Sequence, residues 1–351
     1  MKDLKKRLRE GLGKKKIILS EGIYRFSEAV GPIPRGTVVV GKRVISGFPK
    51  IRRIFSPSTG VQRNMNSSEF IAEEKIDGFN VRAALVGGRV MCFSRGGHVE
   101  HFSTEKLNED KAVVKFLEGH PHSVLYGEMV GNTPHTSPTD EYDVKYWVFD
   151  IGDGKGRFLK PLGRREAGEK AGLNMVPFLG KFRTGDAEGL RKLARRLDKQ
   201  GKEGIVMRGL GKRELLKYVV PSSDIRDLGE NAALIFDMPM GFMKQRVFRS
   251  AISVNELELD KGKYAQKLGE ALHAKLTESL AEGKGVREQF RVRLRNASTW
   301  DKIVKQMGKE IRIEVESKFR RGNNTTIIFS KVYKEGSRKE RRALEGYAQT
   351  D

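Results

Sequence analysis

The chain has 351 residues, a formal net charge of +23 and a single cysteine, Cys92. That length supports two or more domains with cores of their own, the charge points to a polyanionic partner, and one cysteine excludes a disulfide framework or a cysteine-based zinc site. No run is long and apolar enough to span a bilayer, and the first residues lack the apolar stretch of a secretion signal, so a reducing, cytoplasmic setting is expected.

In chain order, Leu4 and Leu8 share one face of a short basic helix expected over residues 2–10. Apolar runs at 16–19 and 38–44, separated by the loop signal Gly31-Pro32-Ile33-Pro34-Arg35-Gly36, predict a small β-rich N-terminal domain over residues 1–67. Residues 68–230 mix strands at 70–75, 79–86, 89–93, 123–130, 145–151, 203–208 and 214–219 with helices at 105–117, 162–171 and 187–199. Neighbouring strands joined by turns such as Gly87-Gly88, with helices in the long connections, predict an α+β domain built on antiparallel sheets.

Residues 231–286 read as mainly helical. Leu268, Leu272, Leu276 and Leu280 recur every four residues along a stretch over 255–282, a stripe that requires a partner surface. Residues 287–351 predict a second α+β unit, with strands at 289–294, 310–319 and 325–332 and helices at 299–307 and 338–347. Basic pairs and triplets are spread along the chain (Lys5-Lys6-Arg7, Arg52-Arg53, Arg164-Arg165, Arg320-Arg321) and mixed with acids, unlike a disordered polycation.

The chemistry centres on Lys75, in Glu73-Glu74-Lys75-Ile76-Asp77-Gly78-Phe79-Asn80-Val81-Arg82. A lysine that ends an apolar strand and precedes a tight Asp-Gly turn is placed to direct its amine into a pocket; the same residues also suit a hairpin with a surface lysine. Four short segments follow in order: Ser94-Arg95-Gly96-Gly97, Tyr126-Gly127-Glu128-Met129-Val130-Gly131, Tyr146-Trp147-Val148-Phe149-Asp150-Ile151, and Lys202-Glu203-Gly204-Ile205-Val206-Met207-Arg208, with Leu215-Leu216-Lys217-Tyr218 closing the set. This ordered set resembles the covalent nucleotidyltransferases, the polynucleotide ligases and messenger-RNA capping enzymes. With Phe-Asn-Val-Arg after the lysine and a long extension past residue 230, it is most similar to the archaeal homodimeric ATP-dependent RNA ligases.

The resemblance implies a nucleotidyltransferase fold, a homodimer, single-stranded RNA (or single-stranded DNA) as partner, ATP as adenylyl donor, and magnesium, with manganese as its substitute. It implies Lys75 as the nucleophile that takes AMP. Glu73, Asn80, Arg82, Arg95, Glu128, Phe149 and Lys217 would bind nucleotide: Glu128 at the ribose or a metal-bound water, Phe149 stacked on the purine, Arg95 at the incoming 5′-phosphate or the nucleotide, and Lys217 at a phosphate. Glu203 would bind metal. A departure stands in the last segment, where Leu215 occupies the earlier position of a Lys-x-Lys pattern, leaving Lys217 alone unless Lys212 or Arg213 assists. No Gly-x-Gly-x-x-Gly or Walker lysine loop is present, and the histidines lack helical metal-ligand spacing. A GTP-using capping guanylyltransferase, a DNA ligase and a non-catalytic basic RNA-binding protein stay open as alternatives.

Overall fold

The computed structural model describes residues 8, 10–211, 214–235 and 237–347. Strands β1 (Ile17–Ser20), β2 (Ile23–Phe26), β3 (Val38–Val40) and β4 (Arg43–Ile45) form a four-stranded antiparallel sheet in chain order. The β1–β2 turn is Glu21-Gly22, both at positive φ (53° and 75°), the backbone twist that two-residue hairpins favour. Of the helix expected over residues 2–10, Leu4 and the Lys5-Lys6-Arg7 cluster lie outside the described residues; Leu8 packs on Ile17, Phe26 and Val39.

The centre of the molecule is two facing sheets. Its strands are β5 (Arg52–Arg53), β6 (Glu69–Lys75), β7 (Phe79–Val86), β8 (Arg89–Ser94), β9 (Val124–Gly131), β10 (Val144–Gly152), β11 (Phe178–Arg183), β12 (Gly204–Gly209) and β13 (Leu215–Val219). One sheet has the order β10-β9-β7-β8 and the other β11-β6-β12-β13-β5; every pairing within them is antiparallel except β13 with β5. The architecture is α+β on antiparallel sheets. Because β6 and β7 fall in different sheets, Asp77-Gly78 is a crossover between sheets and not a hairpin turn. Gly78 permits that passage: a Cβ there would sit 2.4 Å from the Met129 carbonyl oxygen and 2.6 Å from Val130 Cγ1.

Each sheet buries its outer face under helices. Helix Ala187–Lys199 lays Leu190, Leu193, Ala194 and Leu197 against Phe70, Ala72, Ile205 and Met207. The single helix expected over 105–117 is two, His101–Glu109 and Lys111–Gly119. Asp110 breaks it with an extended ψ of 102°, and its carboxylate accepts from the backbone N–H of Ala112 and Val113, capping the second helix.

Past Pro221 come helices Pro221–Glu230, Met240–Glu256, Lys261–Gly269 and Lys275–Glu282. The continuous stretch expected over 255–282 is interrupted at 257–260, where Glu258 takes φ 54° and Asp260 caps the next helix, and it carries a π turn over Glu270–Ala274. Leu268 packs beside Ile225, Val254 and Tyr264, while Leu272, Leu276 and Leu280 are half-buried. The last unit is β14 (Arg287–Leu294), β15 (Ile311–Arg321) and β16 (Asn324–Tyr333), ordered β14-β16-β15, with helices Ala297–Gln306 and Lys334–Leu344. Its Phe290, Val292, Leu294, Ile303 and Phe329 share one core cluster with Phe102, Leu107 and the β10-β9-β7-β8 sheet. Arg291, Arg293 and Arg295 rim that contact, paired with Asp140, Asp143 and Glu109.

Candidate active site

A cavity of ≈ 290 Å³ opens between the two central sheets. The alternation of strands decides what enters it. On β6, β12 and β13 the register aligns Glu73 with Val206 and Lys217, and Lys75 with Gly204 and Val219, so one face of that sheet carries Glu73, Lys75 and Lys217. From the opposing sheet, Asn80 on β7 stands directly across from Glu128 on β9, and Asn80 Nδ2 donates to Glu128 Oε2. Arg95 reaches over from the loop after β8, its Nη1 3.4 Å from Asn80 Oδ1. The loop turns at Gly97, at φ +83°, where a Cβ would come within 2.8 Å of the Gly36 carbonyl. Lys75 Nζ is 2.5 Å from the Glu203 carboxylate, both side chains mostly buried at 21% and 13% exposure.

The cavity therefore gathers Lys75, Asn80, Arg95, Glu128, Phe149, Lys217 and, behind Lys75, Glu203. Phe149 is half-buried, with Phe48 facing it at a centroid distance of 6.0 Å; Phe48, Pro49 and Ile51 from the N-terminal segment complete an apolar wall. These three escaped the sequence reading because an apolar residue in a loop carries no signal of where the loop docks.

Two of the expected nucleotide-binding residues are placed differently. Arg82 is fully buried and does not line the cavity; its guanidinium donates to the carbonyls of Gly36, Ser46 and Ser94 at 2.6–2.8 Å. Four strand positions past the crossover, its side chain points into the junction with the N-terminal sheet, where those carbonyls accept from both terminal nitrogens, and it lies 5.2 Å from the Phe48 ring. Glu73 borders the cavity, but its carboxylate is consumed beneath it. Arg164 Nη2 donates to Oε1, and Arg208 Nε donates to Oε2 at 2.8 Å, all at 7% exposure or less. Arg208 also donates to Asp150 at 3.0 Å and to the Phe149 carbonyl at 2.8 Å, and Arg164 donates to that same carbonyl. In the sequence, Arg164-Arg165 stood out only as charge. Lys212 and Arg213, the residues considered as helpers for Lys217, lie outside the described residues.

Burial dominates the electrostatics. It pushes the Glu128 carboxyl up to about 8, against the pull of Lys75, and the Glu203 carboxyl up to about 7, again opposed by Lys75. Burial first, and then the charges of Arg53, Lys75 and Arg95, bring Lys217 down to about 8. Two desolvated carboxylates beside open space are hard oxygen donors that favour a cation. Among the described residues no group of three or more His, Cys, Asp or Glu forms a protein-only cage. One or two carboxylates with water and phosphate completing the shell is how magnesium is bound, so Glu203 and Glu128 fit that ion.

A signed consequence follows for the nucleotide-free, metal-free protein. A carboxylate whose folded pKa lies above its ordinary 4.5 contributes its stability below that value and loses it as pH rises through about 7 (Glu203) and about 8 (Glu128). Glu128→Gln is therefore expected to raise the melting temperature by about 2–4 °C at pH 8 and to leave it unchanged near pH 4.5. A calorimetric pH series showing no gain at pH 8 would contradict the assignment of Glu128 as a strained carboxylate.

The facing sheets, the lysine at the end of β6 and the carboxylates around it define a nucleotidyltransferase of the ligase type. The family described as RNA ligase matches residues 68–219, and that described as the ligase Pab1020 C-terminal region matches residues 231–347. Residues 68–219 thus match an RNA ligase domain and residues 231–347 match that C-terminal region; the chain is a ligase enzyme. It is similar to forms 1 and 2 of an archaeal ATP-dependent RNA ligase, at 26% and 25% identity and a TM-score of 0.88 for each, over 98% of this chain and 96% of that one. A protein of Aquifex aeolicus provisionally named an ATP-dependent DNA ligase superposes with a TM-score of 0.90 at 25% identity, over 98% of this chain and 99% of that one. The uncharacterised protein MJ0414 of Methanocaldococcus jannaschii is 26% identical over 318 residues, 83% of this chain and 80% of that one.

Proposed function

We propose that the chain is an ATP-dependent ligase that joins RNA 5′-phosphate and 3′-hydroxyl ends through a lysyl-AMP intermediate on Lys75. The observation that carries this reading is the position of the Lys75 amine: half-enclosed in the cavity, 2.5 Å from Glu203, with Lys217 and Arg95 also lining the cavity. In the first step the Nζ lone pair attacks the α-phosphorus of ATP. A P–N bond forms, the bond to the bridging oxygen breaks, and pyrophosphate departs with the electron pair. The amine must shed a proton to attack, and the Glu203 oxygen is the acceptor at hand. In the second step an RNA 5′-phosphate oxygen displaces Lys75 from the same phosphorus, and the amine regains its proton. In the third, a 3′-hydroxyl attacks the activated 5′-phosphate, the phosphodiester forms and AMP leaves.

In this reading Phe149 and Phe48 hold the purine, and Asn80, Arg95 and Glu128 orient ribose and α-phosphate. Such positioning, with charge neutralisation, supplies most of the rate in phosphoryl transfer. Glu203, with Glu128, would hold magnesium, whose charge, when bound, neutralises the phosphate oxygens. The domains proposed for this chain are 1–67 (N-terminal), 68–230 (catalytic), 231–286 (dimerisation) and 287–351 (C-terminal). The half-buried Leu272, Leu276 and Leu280 support the homodimer, which light scattering on the full chain tests. DNA ends are the second reading, favoured by the name of the Aquifex aeolicus relative.

Incubation of the purified protein with ATP and magnesium is the test. The expected result is a mass increase of one AMP from ATP and none from GTP, followed by sealing of RNA 5′-phosphate ends in preference to DNA ends. No adduct with either nucleotide would remove this function, and a GMP adduct would move the chain to the capping class.

A further inference from the structure

The triphosphate end of the nucleotide, as read above, lacks its second cation in the sequence because Leu215 stands where a lysine is expected. The fold supplies a substitute from a different part of the chain. β5 is only Arg52–Arg53, and it adds in parallel to the edge of β13 with Arg53 in register with Lys217. The backbone N–H of Ile54 fixes that register by donating to the Lys217 carbonyl at 2.9 Å. Residues in register share a sheet face, and Ile51, two positions before Arg53, lines the cavity beside Lys217. Arg52 turns to the other face and donates to the Asn64 carbonyl at 2.7 Å.

Several of the charges nearby are matched. Arg249 pairs with Asp224, Arg246 with Asp227, and Lys75 with Glu203. Arg53 and Lys217 form no ion pair among the described residues, and Arg53 Nη1 is shut off from solvent with no hydrogen-bond partner. A buried guanidinium nitrogen left without an acceptor costs stability unless an acceptor arrives with a ligand. Lys217 lines the cavity, and Arg53 stands in register beside it, outside the lining residues and with Asp224 and Glu203 acting on it only beyond ion-pair distance. Two adjacent cations without an ion pair suit a dianionic, oxygen-rich group, and a guanidinium fork suits phosphate oxygens best.

We infer that Arg53 is a substrate-binding residue that, with Lys217, holds the β- and γ-phosphates of the nucleotide and the pyrophosphate that leaves. This rests on the ATP-dependent reading above. It makes Arg53 part of the first step only, since neither lysyl-AMP nor adenylylated RNA carries those phosphates.

The test compares wild type, Arg53→Ala and Arg53→Lys as full chains. Pyrophosphate titrated into each by calorimetry is expected to bind about tenfold more weakly to Arg53→Ala, with Arg53→Lys recovering part of the loss. Adduct formation from ATP should slow in parallel, while sealing of chemically pre-adenylylated RNA should stay within about twofold of wild type. Unchanged pyrophosphate affinity in Arg53→Ala would overturn the inference, as would an equal loss in both reactions, which marks a structural role. If the wild-type protein forms no adduct at all, the ATP-dependent reading fails, and the pyrophosphate titration still decides the fate of Arg53.

Discussion

Lys75→Ala is expected to take up no AMP from ATP and magnesium under conditions in which the wild-type protein is adenylylated to completion. The amine is the group that forms the P–N bond, and no other lysine nitrogen shares its place: Lys217, the other lysine in the cavity, stands two strands away. Lys75→Arg separates charge from nucleophile. A guanidinium keeps the positive charge beside Glu203 but is never deprotonated in proteins, so it too is expected to form no adduct. The fold should survive in both, because the Lys75 side chain lines the cavity and is 21% exposed. A shift in unfolding free energy of about 1 kcal/mol or less is expected. Intact mass spectrometry reads the adduct, and residual adduct on Lys75→Ala would place the nucleophile elsewhere.

Arg208→Met is expected to destabilise the protein by about 3–5 kcal/mol, the range for stripping one partner from a buried ionic cluster. Arg208 is the hub that joins Glu73 on β6, Asp150 on β10 and the Phe149 carbonyl, all within 2.8–3.0 Å, and so ties the two sheets together under the cavity floor. Methionine fills most of the volume but leaves Asp150 and Glu73 with fewer donors in a place that water does not reach. Arg164 still reaches Glu73, which caps the damage on that side. Arg208→Lys should recover little, since a single ammonium cannot donate along the three directions that the guanidinium serves. Urea unfolding monitored by circular dichroism measures this; a loss below about 1 kcal/mol would mean that the cluster holds the walls in place only weakly.

How much of this was legible beforehand depends on the physical signal each residue carries. Lys75, Glu128, Phe149, Glu203 and Lys217 could be placed in one cavity because strand alternation and ordered short segments survive in one dimension. The strands of 70–75, 79–86 and 289–294 were found for the same reason. β11 was missed since none of its residues is fully buried and Gly180 lies in its middle, and β5 because two residues have no periodicity. The break at Asp110 was hidden by apolar spacing that continues through it; only the side-chain cap reveals the stop. Arg82 and Glu73 show what the sequence leaves undecided. A charged residue near a reactive lysine looks functional in sequence, while burial decides which charges are spent on the scaffold.

The passage from β6 to β7 has a mechanical corollary. Lys75 is the final residue of one sheet and Phe79 the first of the other, so three residues tether the two walls at the point of chemistry. A tether that short extends about 3.3–3.6 Å per residue and has almost no slack. Any widening of the cleft must drag the amine with it, which makes the distance between nucleophile and phosphorus a gauge of how far the jaws have closed.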